Sequence, residues 1–313
     1  MIEIRTLQYF LAVAREGSFT RAAALLHVSQ PTLSRQIRAL EEEYGKVFFN
    51  RTTQHVSLSS EGLLLRKYAE EILRIAGKAD QELRGEESEV LGDVYIESGE
   101  SLLAGRMMKA ARAVQARYPG VHFHMITGDG TAALYDLDRG LVDFAFVYGD
   151  ADPEMYESLP SGGCDRWCVV MRRDDPLAEK KAATPEDLWD KPLILSRNTL
   201  IRGAHGESLI QWFRRPLEEL QVVNSYTMFF NGALMVREGM GYALTFEGLA
   251  GKNMADDLCM RPLAPAAVTA PSILWKKGGP LSAAARAFLK ELKKEFAPSP
   301  PGENHNAEKP GQV

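Results

Sequence analysis

The chain has few of the residues that build covalent or metal-bound frameworks. Only three of its 313 residues are cysteines (Cys164, Cys168 and Cys259), an odd number without the spacing of a zinc site. Its six histidines are scattered, also without ligand spacing. We therefore expect reduced thiols and neither a metal nor another cofactor, with a redox sensor as the alternative.

Long apolar runs and enzyme signatures are also missing. The opening segment is interrupted by Glu3, Arg5, Arg15 and Glu16, which argues against a signal peptide or a membrane span. No HExxH, GxSxG or P-loop motif occurs, so we predict no catalytic residues. We expect a cytoplasmic protein that is not an enzyme and has no membrane partner.

Negative charge is absent from one window of an otherwise acidic chain. The net charge is −5, yet residues 17–40 contain no Asp or Glu and include Arg21, Arg35 and Arg38. The total argues against a uniformly basic coat, whereas the window predicts a local basic face. The length and the 45% apolar content predict two or more domains with sizeable cores.

Helical spacing is clear at the start of the chain. Apolar residues at i, i+3, i+4 and i+7 predict a helix over residues 6–15, which Gly17 is placed to end. Ser18 or Thr20 can cap a second helix that continues through Leu26. A very short turn then leads to a third helix.

The third helix begins after Ser29, its predicted cap, and carries one apolar stripe formed by Leu33, Ile37 and Leu40. Its other side is rich in hydrogen-bonding groups. Two helices joined by a tight turn, the second with a polar face free of acids, are typical of a helix-turn-helix that reads the major groove. The predicted DNA contacts in this region are Thr20, Arg21, Ser29, Gln30, Pro31, Thr32, Ser34, Arg35 and Arg38.

A wing and a long helix follow. "VFFNRTTQHVSLS" predicts two short strands around a polar turn, from which Arg51 reaches a phosphate or the minor groove, unless it is an ordinary solvated residue. From Ser59 to about Glu87 the apolar spacings 4, 3, 4, 3 and 4 predict a heptad seam of a dimerising helix. The alternative is a helix packed on its own domain. The predicted dimerisation residues are Leu65, Ala69, Ile72, Ala76, Ala79 and Leu83.

From Gly92 onwards, strand-like and helical segments alternate. Apolar segments such as "DFAFVYG" and "GYALTF" alternate with helical stretches, which implies parallel α/β sheets. A last helix is predicted over residues 281–296. Residues 297–313 form a polar tail rich in Pro and Gly, which predicts disorder.

Several of these segments together resemble the LysR-type transcriptional regulators. The resemblance rests on "GSFTRAAALLHVSQPTLSRQIRALEEEYGKVFFNR", on "LSSEG", and on "GLVDFAFVYG", "REGMGYAL" and "LSAAARAFL" in that order. It implies a winged helix-turn-helix, a dimerising linker helix and an effector domain similar to periplasmic binding proteins, with two α/β lobes that the chain crosses twice. It also implies operator DNA, a small-molecule effector and RNA polymerase as partners. It further implies a homodimer or homotetramer, with the tetramer favoured.

On this basis the chain divides into four regions. The expected boundaries are a DNA-binding domain at 1–58, a linker helix at 59–88, an effector domain at 89–296 (lobe I at 91–161 and 266–296, lobe II at 162–265) and a tail at 297–313.

Two positions depart from the family pattern. Ser59 stands where threonine is usual, and this change is harmless because serine caps helices equally well. Glu100 stands where a small polar residue is common. An acid there argues against a strongly anionic effector, and it suits a cationic or hydroxylated ligand unless it faces solvent.

The effector cleft is predicted where strands end and helices begin. In open α/β sheets ligands bind beyond the carboxyl ends of the strands, and the resemblance implies the same loops. Each hydroxyl in them is equally well explained as a helix cap without a ligand. The candidate residues are Ser98, Gly99, Glu100, Ser101, Thr127, Asp129, Ser196, Thr199 and Phe246.

Two rival functions share parts of these patterns. "TGDGTAA" contains Gly128-x-Gly130-x-x-Ala133 with acids about 20 residues on, as in a dinucleotide-binding sensor or enzyme, although its helix is short and no preceding Rossmann half is visible. A solute-binding transport receptor would share the two-lobed fold. The missing export signal and the DNA-reading segment argue against it.

Overall fold

The computed structural model describes residues 2–51, 56–84, 90–149, 151–200, 207–251 and 254–297. The chain divides into two compact units, residues 1–86 and residues 87–313. In the described ranges, every helix is too short or too polar to cross a membrane. The predicted disordered tail lies outside the described residues, except for Ala297.

The N-terminal unit contains the predicted helices and the two strands of the wing. Gly17 ends the first helix with a positive φ of 58°, a conformation that glycine adopts without strain, and donates its N–H to the carbonyl of Val13. The wing strands pair antiparallel. The elements are α1 (Ile4–Glu16), α2 (Phe19–Leu25), α3 (Gln30–Tyr44), β1 (Phe49–Arg51), β2 (Val56–Leu58) and α4 (Ser60–Arg84).

One core holds this unit together. The predicted stripe of α3 is buried, and it meets the apolar face of α1. The ring of Phe10 on α1 lies 5.1 Å from that of Phe49 on β1, centroid to centroid. The wing is thereby attached to the three helices, and the opposite side of α3 remains exposed.

Two residues of the predicted dimer seam on α4 are buried within their own unit. Leu65 and Ala69 are buried in the same core, 9% and 0% exposed, on the side of α4 that meets α1. The prediction that these two residues face a second chain is therefore wrong, because residues three or four apart share a helix face whether the neighbour belongs to the same chain or to another. Ile72 is exposed, Ala76 is partly buried and Ala79 is exposed. The side chain of Leu83 lies outside the described residues.

The C-terminal unit begins with lobe I, passes into lobe II and returns to lobe I. The first pass through lobe I contains β3 (Gly92–Ser98), α5 (Ala104–Arg117), β4 (Val121–Thr127), α6 (Gly130–Asp138), β5 (Phe144–Tyr148) and β6 (Tyr156–Pro160). Lobe II contains β7 (Asp165–Arg172), α7 (Pro185–Leu188), β8 (Leu193–Ser196), α8 (Arg197–Leu200), α9 (Glu207–Phe213), β9 (Val222–Tyr226), α10 (Phe229–Arg237), β10 (Tyr242–Phe246), β11 (Leu258–Pro262) and β12 (Val268–Thr269). The return adds β13 (Pro271–Lys276) and α11 (Ala283–Glu295).

The two sheets are mixed, not purely parallel as predicted. The lobe I sheet has the order β4-β3-β5-β13-β6, and the lobe II sheet has the order β11-β7-β10-β8-β9 with β12 beside β7. The first strand after each crossover, β7 or β13, runs antiparallel to its neighbours because it enters from the other lobe. The second crossover falls between Thr269 and Pro271, later than the predicted 265/266 boundary, because β12 still pairs with Asp165 and Arg166 in lobe II.

The core of lobe I is centred on one aromatic side chain of the returning helix. Phe288 on α11 is fully buried, and its ring lies 4.9 Å from that of Phe123 and 5.2 Å from that of Phe144. The return segment therefore closes the core that the first pass leaves open.

We expect Phe288→Ala to lower the free energy of unfolding of the C-terminal unit by about 3–5 kcal/mol, because it leaves a cavity among these rings. Phe230→Ala in the same unit is the control: its side chain is 70% exposed, and its removal should change stability by less than about 0.5 kcal/mol. Denaturant unfolding of the full chain measures both. An equal loss of unfolding free energy in both variants would show that Phe288 is not the centre of the lobe I core.

Candidate DNA-reading helix and effector cleft

The start of α3 is defined by its capping residues. Ser29 is the N-cap: its hydroxyl accepts from the backbone N–H of Thr32 at 3.3 Å and lies 2.7 Å from the Thr32 hydroxyl. Pro31 sits in the first turn, where a missing N–H leaves no intrahelical bond unmade. Ser29 is thus a cap as well as a candidate DNA contact.

The outer face of α3 is polar and carries positive charge. Gln30, Thr32, Arg35 and Arg38 are exposed, whereas Ser34 is half-buried. Among the described residues, no acidic side chain pairs with Arg35 or Arg38. Two unpaired guanidinium groups beside amide and hydroxyl groups suit base edges and phosphates.

The other predicted DNA contacts differ in exposure and in their hydrogen-bond partners. On α2, Thr20 is exposed, and Arg21 donates to the backbone carbonyl of Glu16 and lies 3.5 Å from its carboxylate. Arg21 is therefore already engaged in its own unit. Arg51 ends β1, and its side chain lies outside what the structure describes.

A cleft lies between the two lobes of the C-terminal unit. The empty space between its lining residues is about 390 Å³, a volume that includes space open to solvent. Five of the nine candidate effector residues line it, two from lobe I and three from lobe II. They are Gly99, Glu100, Ser196, Thr199 and Phe246.

Sequence reasoning missed the aromatic wall of this cleft. The rings of Tyr148, Trp167 and Tyr226 line it with Phe246, and the Phe246 ring lies 4.5 Å from Trp167 and 5.3 Å from Tyr148, centroid to centroid. Tyr148 and Tyr226 end β5 and β9. The rule that ligands bind beyond the carboxyl ends of strands would have found both residues if it had been applied to every strand. Trp167 lies near the start of antiparallel β7 and gives no such signal. The cleft is also lined by Asn198, Thr227, Thr245 and Leu249.

Asp165 joins the lobes beside the cleft and was also missed. Its Oδ2 accepts hydrogen bonds from the Ser101 hydroxyl at 2.7 Å and from the Tyr148 hydroxyl at 2.6 Å, both from lobe I. Burial, with the adjacent Asp165 carboxylate as a further cause, raises the pKa of Tyr148 well above its usual range. Tyr148 therefore stays protonated and keeps donating to Asp165.

Glu100 makes a second connection between the lobes. Its Oε2 accepts from the backbone N–H of Phe229, the first residue of α10, at 2.6 Å. Met228 precedes this helix and supplies no side-chain cap. A lobe I carboxylate therefore caps a lobe II helix, a favourable position for negative charge.

Four candidate effector residues have other roles. The buried Ser98 donates to the Gly99 carbonyl, and Ser101 donates to Asp165. Thr127 ends β4, the outer strand of the lobe I sheet, and Asp129 caps α6 through the N–H of Ala132. Because β4 lies at the edge of the sheet, its loop does not line the cleft.

The "TGDGTAA" loop does not suit a dinucleotide. A Cβ at Gly128 would lie 1.9 Å from Oε1 of Glu97, so the loop lies directly against a buried carboxylate of the same lobe. Asp129 places a second carboxylate at the start of α6. Both acids disfavour a pyrophosphate at that position.

The three thiols do not form a reactive group. Cys164 is exposed, while Cys168 and Cys259 are buried, and all three are free. Burial raises the pKa of the Cys168 thiol above its usual range, which keeps it protonated and unreactive. In the described part of the chain no three His, Cys, Asp or Glu side chains are grouped as metal ligands.

Comparison with known families agrees with this geometry. Residues 88–297 match the LysR substrate binding domain, and residues 4–63 match the bacterial regulatory helix-turn-helix protein, lysR family. The chain belongs to the LysR family. It is a LysR-type DNA-binding transcriptional regulator with an effector-binding domain, as the sequence predicted.

Similar proteins cover most of the chain. The uncharacterised HTH-type transcriptional regulator YvbU of Bacillus subtilis (strain 168) is 25% identical over 295 residues, 94% of this chain and 98% of the relative. BsdA of the same organism is 30% identical over 223 residues, 69% of this chain and 74% of the relative. The crystal structure of full-length CbnR with its target DNA covers 94% of this chain and 100% of CbnR, with a TM-score of 0.68 and 19% identity, and shows the same fold.

We expect Tyr148→Phe to destabilise the C-terminal unit by about 1.5–3 kcal/mol, because Asp165 loses a donor to a buried carboxylate. The control is Tyr135→Phe: its hydroxyl bonds to Arg139 on an exposed helix, and its loss should cost less than about 0.5 kcal/mol. Thermal unfolding of the full chain compares the two variants. A Tyr148→Phe protein as stable as the control would show that Asp165 does not depend on this hydroxyl.

Proposed function

We propose that α3 enters the major groove of an operator and reads bases with Gln30, Thr32 and Arg35, while Arg38 and Ser34 contact the DNA backbone or bases. The observation that carries this proposal is the exposed face of α3 over residues 30–40, which contains no acidic residue and carries Arg35 and Arg38 without an acidic partner among the described residues. Thr20, Arg21 and Ser29 flank that face, and Arg51 in the wing adds a sequence-independent contact. The proposal places the protein in the cytoplasm, where its operator lies.

Arg35→Ala tests base reading. We expect it to weaken operator binding by about 1–3 kcal/mol and to relax preference at one base pair, because a bidentate contact is lost. Arg112→Ala on α5 removes an exposed arginine from the other unit and should leave binding unchanged. Footprinting and binding titrations against operator variants measure this, and unchanged affinity and preference for Arg35→Ala would remove it from the interface.

Arg51→Ala should behave differently. We expect it to weaken binding to all DNA sequences about equally and to flatten the dependence of affinity on salt, because a phosphate or minor-groove contact carries little base information. Salt titrations with operator and unrelated DNA measure both quantities. A loss confined to the operator would assign Arg51 a base-reading role instead.

We also propose that α4 dimerises through a face next to the one predicted. Leu64, Tyr68, Ile72 and Ile75 recur at spacings of 4, 4 and 3 and are all exposed. Apolar side chains at this spacing form one stripe, and a second copy of α4 is the partner that a symmetric operator requires. The resemblance further favours a tetramer of two such dimers, and RNA polymerase as a later partner.

Ile72→Asp should dissociate the dimer and lower operator affinity with it, since an unpaired carboxylate in an apolar contact is costly. Leu63→Asp is the matched control, because Leu63 is 58% exposed and off this stripe. Sedimentation measures the oligomeric state. A dimer that survives Ile72→Asp, or dissociates equally with Leu63→Asp, would place the interface elsewhere.

We infer that the cleft between the lobes binds the small-molecule effector and that this binding changes operator recognition. Residues of both lobes line the pocket, and Tyr148 of lobe I packs into the core of lobe II beside it. A ligand there can favour one arrangement of the lobes over another, which is the condition for a switch. This function is regulatory and not enzymatic.

A further inference from the structure

The aromatic side chains of the effector cleft offer rings and not polar groups. The hydroxyl of Tyr148 donates to Asp165, that of Tyr226 donates to the carbonyl of Leu244 at 2.6 Å, and Nε1 of Trp167 donates to Ser208. Phe246 has no polar group. A ligand therefore meets a wall of π-systems whose own hydrogen-bonding groups are already engaged.

The described lining of the cleft carries one formal charge, which is negative. Glu100 supplies it, and none of the other described lining residues is Lys, Arg or His. The backbone N–H at the start of α10, which would attract an anion, is already bonded to Oε2 of Glu100. The Asp165 carboxylate behind Tyr148 adds to the negative field.

One lining group has no partner. The hydroxyl oxygen of Thr199 is buried, the residue is 2% exposed, and within the described part of the chain it makes no hydrogen bond. A buried polar group left unbonded destabilises the structure unless a ligand or water bonds it. The Thr199 hydroxyl can accept a hydrogen bond from a ligand on the lobe II side of the cleft. The Glu100 carboxylate can accept one on the lobe I side.

We propose that the effector is a small organic ammonium ion, held between the Glu100 carboxylate and the rings of Tyr148, Trp167, Tyr226 and Phe246. A cation is attracted by the faces of aromatic rings and by a carboxylate, whereas the Glu100 carboxylate repels an anion. Primary ammonium groups also bond to the Thr199 hydroxyl, while quaternary ones use the rings. The proposal rests on the proposed effector function and specifies the class of its ligand.

The test is ligand-induced thermal stabilisation of the full chain. The cationic probes are choline, tetramethylammonium, ethanolamine and putrescine. Choline is paired with its neutral isostere 3,3-dimethylbutan-1-ol and with the anion 3,3-dimethylbutyrate, which share its branched apolar group. We expect at least one ammonium probe to raise Tm saturably, and the neutral and anionic partners to have no such effect.

Variants locate the response in the cleft. Glu100→Gln keeps an oxygen that accepts from the Phe229 N–H but removes the charge, so we expect the protein to fold and the Kd for the ammonium probe to rise at least about tenfold. Glu154→Gln removes an exposed acid elsewhere in lobe I and should leave Kd unchanged. Thr199→Val should weaken binding of a primary ammonium probe, whereas Thr199→Ser, which keeps the hydroxyl, should bind it as the wild type does.

Three results would overturn the ammonium class: no stabilisation by any cation, equal stabilisation by choline and its neutral isostere, or an ammonium response indifferent to Glu100→Gln. If the anion or the neutral alcohol stabilises the wild-type chain and Thr199→Val abolishes this stabilisation, the cleft binds an effector but the ammonium class is refuted. If the wild-type chain shows no sequence-specific DNA binding, the proposed regulatory function itself is refuted.

Discussion

The position of the cleft depends on one buried carboxylate. Asp165 begins the first strand of lobe II and is 7% exposed, so it needs hydrogen-bond donors. Within the described residues, its carboxylate accepts from two side chains of lobe I. This constraint fixes Ser101 and Tyr148 against lobe II. Glu100 and Tyr148, the neighbouring wall residues, are thereby held opposite Thr199 and Phe246.

The same arrangement determines the chemistry of the cleft. Glu100 uses one oxygen to cap α10 across the lobes, so the site that elsewhere in α/β folds attracts anions is already occupied by an internal carboxylate. Aromatic rings form one wall of the cleft, neutral polar side chains line the rest of it, and within the described residues the buried Thr199 hydroxyl makes no hydrogen bond. The proposed preference for a cation therefore depends on one acidic residue, which also caps a helix of the other lobe.

Local features of the sequence predicted local structure well. The cap at Ser29, the helix end at Gly17 and the buried stripe of α3 depend on residues close in the chain, and all are present. Leu65 and Ala69 on α4 were wrongly assigned to a dimer seam, because spacing cannot distinguish a core of the same unit from a second chain. Trp167 and Asp165 were missed because the first crossover brings them to Tyr148, and no local pattern records that meeting.

A ligand in the cleft should change operator recognition, and linkage makes this change directly measurable. The measurement is the operator Kd of the full chain with and without a saturating ammonium probe, repeated with Glu100→Gln at the same probe concentration. We expect the probe to change the operator Kd of the wild-type chain and to leave that of the variant unchanged. An operator Kd that stays constant while the wild-type cleft is saturated would show that the cleft is not coupled to DNA recognition.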